Sequence, residues 1–469
     1  MKLLAAIGRN QYLSRGLHPY DPRPMPTPAP ASSVPDDFCA IDFGTSNSAI
    51  AVPAAGGAGG APGAMELVQL EGEALTMPTA VFYLAEGPDL PNLPRLYGRA
   101  AVASYVEGNE GRLMRSMKSV LGSSLMDQHT DIGAGRSVSF ADVIASYLRH
   151  LLRSAEAHAG RELKRVVLGR PVYFVDGDPV RDAQAQAALQ AAARAVGFTD
   201  IGFQYEPIAA AFHYEAGIDS EQHVLVADIG GGTSDFSLVR VGPARRERLD
   251  RRDDVLASHG VHIAGTDFDR RVELGAILPL LGFGAYGPER PGQPAREVPS
   301  KVYFDLATWH LINTVYRPQR VLELRGMKGD YADADQHRRL MKVLTDHLGH
   351  DLAGRAEQAK IAVAAGGEVA IDLGLVERGL QATLTEPQAA ALLRDDLGRI
   401  VTAALETAAM AGLQPAQVDA LYFTGGSTGL KGLTDALAAA FPTARPVYGE
   451  RLASVATGLG LYARRLFGG

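Results

Sequence analysis

Val224 to Val239 reads VLVADIGGGTSDFSLV, and few folds accept such a stretch. Two apolar runs flank an aspartate, three consecutive glycines and Thr-Ser-Asp, which predicts two strands joined by a glycine turn. Glycines suit a place where backbone must approach a bulky anion, because a side chain there would clash. Gly230, Gly231 and Gly232 are therefore expected to offer amide N–H groups to phosphate. Asp228 ends the incoming strand and Asp235 begins the outgoing one, so two carboxylates flank the same pocket. They would repel a phosphate unless a divalent cation lay between them, which implies magnesium held largely through its waters. The glycines by themselves equally fit an ordinary Gly-rich hairpin.

A second stretch repeats the design. Phe38 to Val52, FCAIDFGTSNSAIAV, is again strand, aspartate, glycine, Thr-Ser, strand. Asp42 corresponds to Asp228, and Gly44-Thr45-Ser46 to Gly232-Thr233-Ser234. Such an internal duplication predicts two similar lobes facing each other across a cleft, each bringing one phosphate-binding hairpin.

The remaining segments alternate. Leu75–Leu84 is strand-like around Pro78, Arg112–Leu121 reads as a short helix carrying Lys118, and a helix starts at Phe140 behind a capping Ser139. Arg165–Leu168 is a strand of buried type, Pro179–Val196 is a helix stopped by Gly197, and Glu206 opens another helix. This alternation indicates an α/β fold. Gly265-Thr266-Asp267 begins a helix toward Leu281, and Gly282–Pro299 reads as a loop insertion. A helix around Leu306–Val315 carries Trp309, expected in the core or at a subdomain interface rather than against a ligand. Gln336–Ala365 reads as one long helix holding Glu357 and Lys360. Thr385-Glu386-Pro387-Gln388 is a capping box that starts a helix to about Met410. Ala420–Leu433 is strand, glycine turn, helix, and Ser454–Leu466 a closing helix.

Composition narrows the class. The 469 residues suit two large lobes. A formal net charge of −7 speaks against a nucleic-acid-binding surface. One cysteine, Cys39, rules out an internal disulfide and suits a reducing compartment. No apolar run has the length of a membrane span, and MKLLAAIG is too short for a signal peptide, so the expected location is cytoplasmic. Residues 1–36, with six prolines from Pro19 to Pro30, are expected to form a flexible extension.

These segments, in this order, resemble the ATPase domain of the DnaK-type 70-kDa heat-shock chaperones, within the actin and sugar-kinase superfamily. The resemblance rests on AIDFGTSNSA (40–49), RSMKSVLG (115–122), GRPVYF (169–174), YEPIAAAFHY (205–214), ADIGGGTSDFSLV (227–239), AGTDFD (264–269), AEQAK (356–360) and FTGGSTGL (423–430). It implies an actin-like ATPase fold, two similar lobes of four subdomains closing on ATP or ADP with magnesium, and allows potassium as a further ion. Lobe I would run over 37–222 and lobe II over 223–469, with an inserted stretch at 282–335 and a C-terminal return to lobe I. Asp42, Glu206, Asp228 and Asp235 would surround the metal and the attacking water. Gly44, Thr45, Ser46, Asn47, Thr233 and the amides of Gly230–Gly232 would hold phosphates. Lys118 stands where the family keeps its catalytic lysine, and a cation there would neutralise charge on a departing phosphoryl group. A solvated lysine and a helix-capping Glu206 are the plainer readings of those two. Gly265, Glu357, Lys360, Gly425, Gly426 and Ser427 would serve the adenosine.

The departures matter equally. Two arginines expected around adenine read Ile361 and Gly429 here. No peptide-binding domain is recognisable after the closing helix, a pattern similar to the short chaperone-like proteins of the YegD type. The expected function is an ATP-binding, slowly hydrolysing, chaperone-like protein, with a protein client or partner possible at 282–335. A small-molecule kinase of the same superfamily and a nucleotide-dependent switch or actin-like polymer are the alternatives.

Overall fold

The computed structural model describes residues 36–54, 64–85, 95–126, 128–133, 135–289, 291–292, 294–364, 366–449 and 454–468. The expected N-terminal extension thus lies, but for Asp36, outside the described residues.

Two five-strand paths organise the chain, and they share one plan. In the first, the order is Asp200–Tyr205, Arg165–Arg170, Phe38–Phe43, Asn47–Pro53, Met65–Leu67. Phe38–Phe43 forms an antiparallel hairpin with Asn47–Pro53 and pairs in parallel with Arg165–Arg170. In the second, the order is Arg445–Tyr448, Ala420–Thr424, Gln222–Ile229, Ser234–Val241, Val255–Val261. Gln222–Ile229 forms the hairpin with Ser234–Val241 and pairs in parallel with Ala420–Thr424. Strand for strand, order and direction match.

Because successive side chains of a strand face opposite ways, both hairpin strands feed two cores. Cys39, Ile41 and Phe43 pack with Val143, Ile144, Tyr147, Leu148, Leu151 and Leu152 of the helix Phe140–Ala159. Those helical positions recur at three- and four-residue steps, and Ser139 Oγ accepts the Asp142 amide at 3.1 Å to cap them. Phe38 and Ala40 face the other way, into a shared layer with Val224 and Val226 of the second sheet. Between the sheets lie the helices Glu206–Ala216 and Ser454–Phe467. Leu225, Ala227 and Ile229 turn outward onto Leu393, Ile400 and Ala404 of the helix Glu386–Met410. Each buried aliphatic side chain of this kind contributes about 1.5–3 kcal/mol.

Three expected elements differ. Arg112–Leu121 is not a helix: Gly111–Arg115 is a strand paired with Ala80–Leu84, followed by a single 3₁₀ turn, Met117–Val120. Pairing with a strand 30 residues away overrode the local pattern, and Ser116 (φ 54°) makes the corner. Gln336–Ala365 is two helices, Ala334–Thr345 and Gly349–Val363, broken at His347, whose φ is 56°. The His347 ring stacks on Tyr316 at 4.2 Å, which holds the break. Trp309 lies in the turn between the short helices Lys301–Leu306 and Ile312–Val315. It is half-buried, stacked on Tyr105 at 5.2 Å and covered by the Arg115 guanidinium at 4.3 Å. The described residues of Gly282–Pro299 are loop, as expected, with one isolated bridge between Tyr286 and Glu297, and Val298 anchors the stretch in a core with Leu340 and Leu352.

Candidate functional site

The two hairpin turns meet. A Cβ added to Gly231 would stand 3.2 Å from Ser46 Oγ, so the tips are in close contact and a side chain there would make Ser46 give way slightly. Among the described residues the amides of Thr45, Ser46, Gly231 and Gly232 donate to no other group, whereas Gly230 N is used within its own turn, to Thr233 O at 3.0 Å. Four unclaimed donors at one junction are able to receive an anion.

The second hairpin is gripped from behind. Gly265 N and Thr266 N donate to the carbonyls of Gly230 (3.2 Å) and Gly231 (2.8 Å), and Thr266 Oγ1 also reaches Gly231 O at 2.8 Å. Ser427 Oγ donates to Gly230 O at 2.7 Å, which ties the third glycine loop to the second. Gly425, with φ 86°, turns that loop where a Cβ would lie 2.4 Å from Ile229 O. Thr79 braces the first hairpin, donating its hydroxyl to Gly44 O at 2.8 Å and its amide to Ser46 O at 2.9 Å. Sequence reading missed Thr79 entirely; Thr266 was visible only as part of AGTDFD.

Acidic groups lie beneath the tips. Asp42 and Asp228 are half-buried at the ends of their strands. Burial, then Glu206, push the Asp42 carboxyl up to about 8, with Lys118 opposing and Asp228 adding. Burial, then Asp235 and Glu206, push Asp228 up to about 7, again against Lys118. Burial pushes the Asp235 carboxyl up, opposed by the hydrogen bond it accepts from Thr233 Oγ1 at 2.7 Å and by Lys118.

Lys118 and Glu206, from segments 88 residues apart, meet in an ion pair of 2.5 Å with side chains only 9% and 16% exposed. Burial acts to lower the lysine, but Glu206, Asp42 and Asp228 outweigh it and the pKa is raised. Glu206 therefore serves the lysine before it serves any metal. Among the described residues no three His, Cys, Asp or Glu side chains converge closely enough to hold a metal directly. Separated carboxylates beside free amides do fit a hydrated magnesium ion that needs phosphate oxygens to complete its shell.

The adenosine-side residues are less convergent. Lys360 is engaged with Asp269 at 2.7 Å and with Gly265 O at 3.4 Å. Asp269, raised to about 6 chiefly by burial and opposed by Lys360, was not among the predicted residues. Glu357, Asn47 and Gly426 are exposed, and Ile361 is 63% exposed.

Residues 39–273, half of the chain, match the family described as "Hsp70 protein". The chain belongs to the Hsp70 family. It therefore has the actin-like ATPase fold, which the duplicated hairpin sheets express. "Chaperone protein DnaK" of Thermosipho melanesiensis is 32% identical over 245 residues, covering 51% of this Hsp70 family member and 36% of that protein. "Chaperone protein DnaK" of Thermotoga neapolitana is 32% identical over 237 residues, covering 50% and 34%. The matched region thus spans about a third of the length of these curated relatives. Among the described residues no helix is long and apolar enough to cross a membrane.

Proposed function

We propose that this protein binds ATP with magnesium at the junction of the two hairpins and hydrolyses it slowly, as a chaperone-like nucleotide switch. The observation that carries the reading is the junction itself: four free amides over three aspartates, with the Lys118–Glu206 pair beside them. Magnesium, when bound, supplies charge neutralisation between phosphate oxygens. The chain's own groups do the rest. The amides of Thr45, Ser46, Gly231 and Gly232 orient the phosphates, Lys118 faces the charge that develops on transfer, and the carboxylates position water. The two lobes are proposed as 37–222 and 223–469, and the packing of Ser454–Phe467 on the first sheet supports a C-terminal return to lobe I. A protein partner is proposed to dock at 282–335. ATP affinity and turnover of the purified protein with magnesium test the core reading; absence of both overturns it.

The aspartates make a pH prediction. Their folded-state pKa values lie above the unfolded carboxylate range, so without ligand the folded protein binds protons more tightly than the unfolded chain. That contribution to stability is present at low pH and is lost as pH rises to about 8. Holding a dication needs both carboxylates ionised, so binding releases protons. The gain in Tm from magnesium and ADP is therefore expected to grow between about pH 6 and pH 8. A gain that is flat or falls over that range removes Asp42 and Asp228 from the metal site. In the same scheme Asp42→Asn and Asp228→Asn each raise the magnesium concentration needed for half-maximal turnover.

The base is expected to be held weakly. Neither Ile361 nor Gly429 can stack a guanidinium on adenine, and such stacks contribute about 0.5–2 kcal/mol each. Losing two weakens ATP binding roughly tenfold to several hundredfold. The exposed Ile361 side chain covers at most one face, so micromolar affinity and poor discrimination of ATP from GTP follow. Calorimetry on the parent and on Ile361→Arg/Gly429→Arg checks this, with the double variant gaining for ATP; nanomolar ATP binding by the parent contradicts it.

A further inference from the structure

The segment that grips the second hairpin has another neighbour. A cavity of about 200 Å³ is lined by His262 and Ile263, which directly precede the grip, together with Arg270, Arg271, Phe304 and Arg399. Ile263 O also accepts Ser234 Oγ at 2.7 Å, so this wall is joined to the hairpin strand itself.

Two carboxylates line the same cavity, and both are occupied. Asp396, buried, accepts Arg271 through both oxygens, at 2.8 and 3.1 Å. Asp267 accepts the Ala264 amide at 3.0 Å and so caps its helix. Asp395, on the adjoining surface, is exposed and adds to the field at Arg271. Arg270 and Arg399 remain without an ion-pair partner among the described residues. The Arg270 guanidinium lies over the Phe304 ring, 5.7 Å from its centroid, and its enclosed Nε hydrogen meets no acceptor among the described residues.

A buried N–H without an acceptor is rare in folded proteins, because desolvating it costs free energy that a hydrogen bond normally offsets. A guanidinium fork matches two oxygens of a phosphate, and stacking on a ring fixes its plane. With a water taking about 30 Å³, the cavity holds a phosphate group and a few carbons or waters, which is less than a nucleotide needs.

We propose that this cavity is a second anion site, which takes a phosphate group, free or on a metabolite of a few carbons, between Arg270, Arg399 and His262. The site is separate from the hairpin junction, although its ligand touches the segment that grips it. It stands whether or not ATP binds at the junction.

Arginine labelling tests this on the full chain. Phenylglyoxal adducts are mapped by peptide mass spectrometry with and without inorganic phosphate or glycerol 3-phosphate as probe. At a probe concentration about ten times Kd, modification of Arg270 and Arg399 is expected to slow about tenfold, while the exposed Arg325 keeps its rate. Stronger protection by inorganic phosphate identifies the free ion as the natural occupant, and stronger protection by glycerol 3-phosphate identifies an ester. Equal rates with and without both probes, or protection no greater than at Arg325, overturn the proposal. Calorimetry with inorganic phosphate gives a second reading. Arg270→Gln/Arg399→Gln is expected to bind about tenfold more weakly or worse with its unfolding midpoint kept, since about one charge-assisted contact is lost at each site. Parent-like affinity in that variant also overturns the assignment.

Discussion

Lys118→Ala is expected to slow ATP turnover about 10²–10³-fold, the usual cost of deleting one group aimed at charge that develops in the transition state. Its effect on ATP affinity is expected to stay below about tenfold, or about 1.4 kcal/mol. The asymmetry follows from where the ammonium sits. It is paired with Glu206 at 2.5 Å before any phosphate arrives, so ground-state binding gains little from it. Chemistry gains more, because negative charge moving onto the leaving oxygen competes with Glu206 for the same cation. Single-turnover rates and calorimetric Kd values separate the two, and equal losses in both remove Lys118 from the catalytic groups.

The same substitution carries a signature that a merely structural lysine would lack. Lys118 opposes the upward shift of both Asp42 and Asp228. Without it, Asp42, Asp228 and Asp235 face one another and Glu206 with no cation opposing them, and the three aspartates hold their protons to higher pH. The pH at which magnesium binding reaches half its plateau should therefore move upward in Lys118→Ala. A parent-like pH profile would mean the lysine does not act on those groups.

How legible this was in the sequence depends on the range of each interaction. The hairpins could be read because everything that defines them lies within one stretch: two apolar runs, an aspartate at the strand end, glycines at the turn. The cap at Ser139 and the capping box at Thr385 are equally local, and both formed as read, with Gln388 N donating to Thr385 Oγ1 at 3.4 Å. Lys118 was found by its place in a motif, yet its surroundings were misread, because the strand Gly111–Arg115 exists only through its pairing with Ala80–Leu84. The partner that defines Lys118, Glu206, lies 88 residues on, after the edge strand Asp200–Tyr205 of the first sheet, and no periodicity reports such a meeting. Thr79 is invisible for the same reason, since its value lies in two hydrogen bonds to a turn about 35 residues away. The break at His347 shows the opposite failure. Apolar spacing ran on across it, while the ring stack on Tyr316 and the left-handed corner overrode the helix.

Arg251→Met is expected to destabilise the protein by about 3–5 kcal/mol, the range for breaking a buried ion pair by removing one partner. Arg251 is fully buried, with Glu215 and Asp254 beside it at 1% and 3% side-chain exposure. Its guanidinium donates to both Glu215 oxygens, at 2.8 and 3.0 Å, and to Asp254, and it lies over the Phe212 ring. Methionine fills similar volume but, among the described residues, leaves Glu215 with only the Gly242 amide, at 3.0 Å, while Asp254 keeps Arg245 and Arg240. The desolvated Glu215 carboxylate, left without a cation, then sets most of the cost, more than any lost packing. A second substitution makes the argument testable: Arg251→Met/Glu215→Met removes one stranded charge as well, so it should recover part of the loss. Denaturant midpoints of the parent and both variants decide, and a double variant less stable than the single would show that packing dominates. The consequence reaches the candidate site, because Glu215 ends the helix that Glu206 begins. Arg251 thus fixes to the second sheet the far end of the helix whose first residue holds Lys118. Loosening that end should lower turnover in Arg251→Met even under conditions where the variant remains folded, and Mg·ATP should restore part of its stability by mass action if the junction is the binding site.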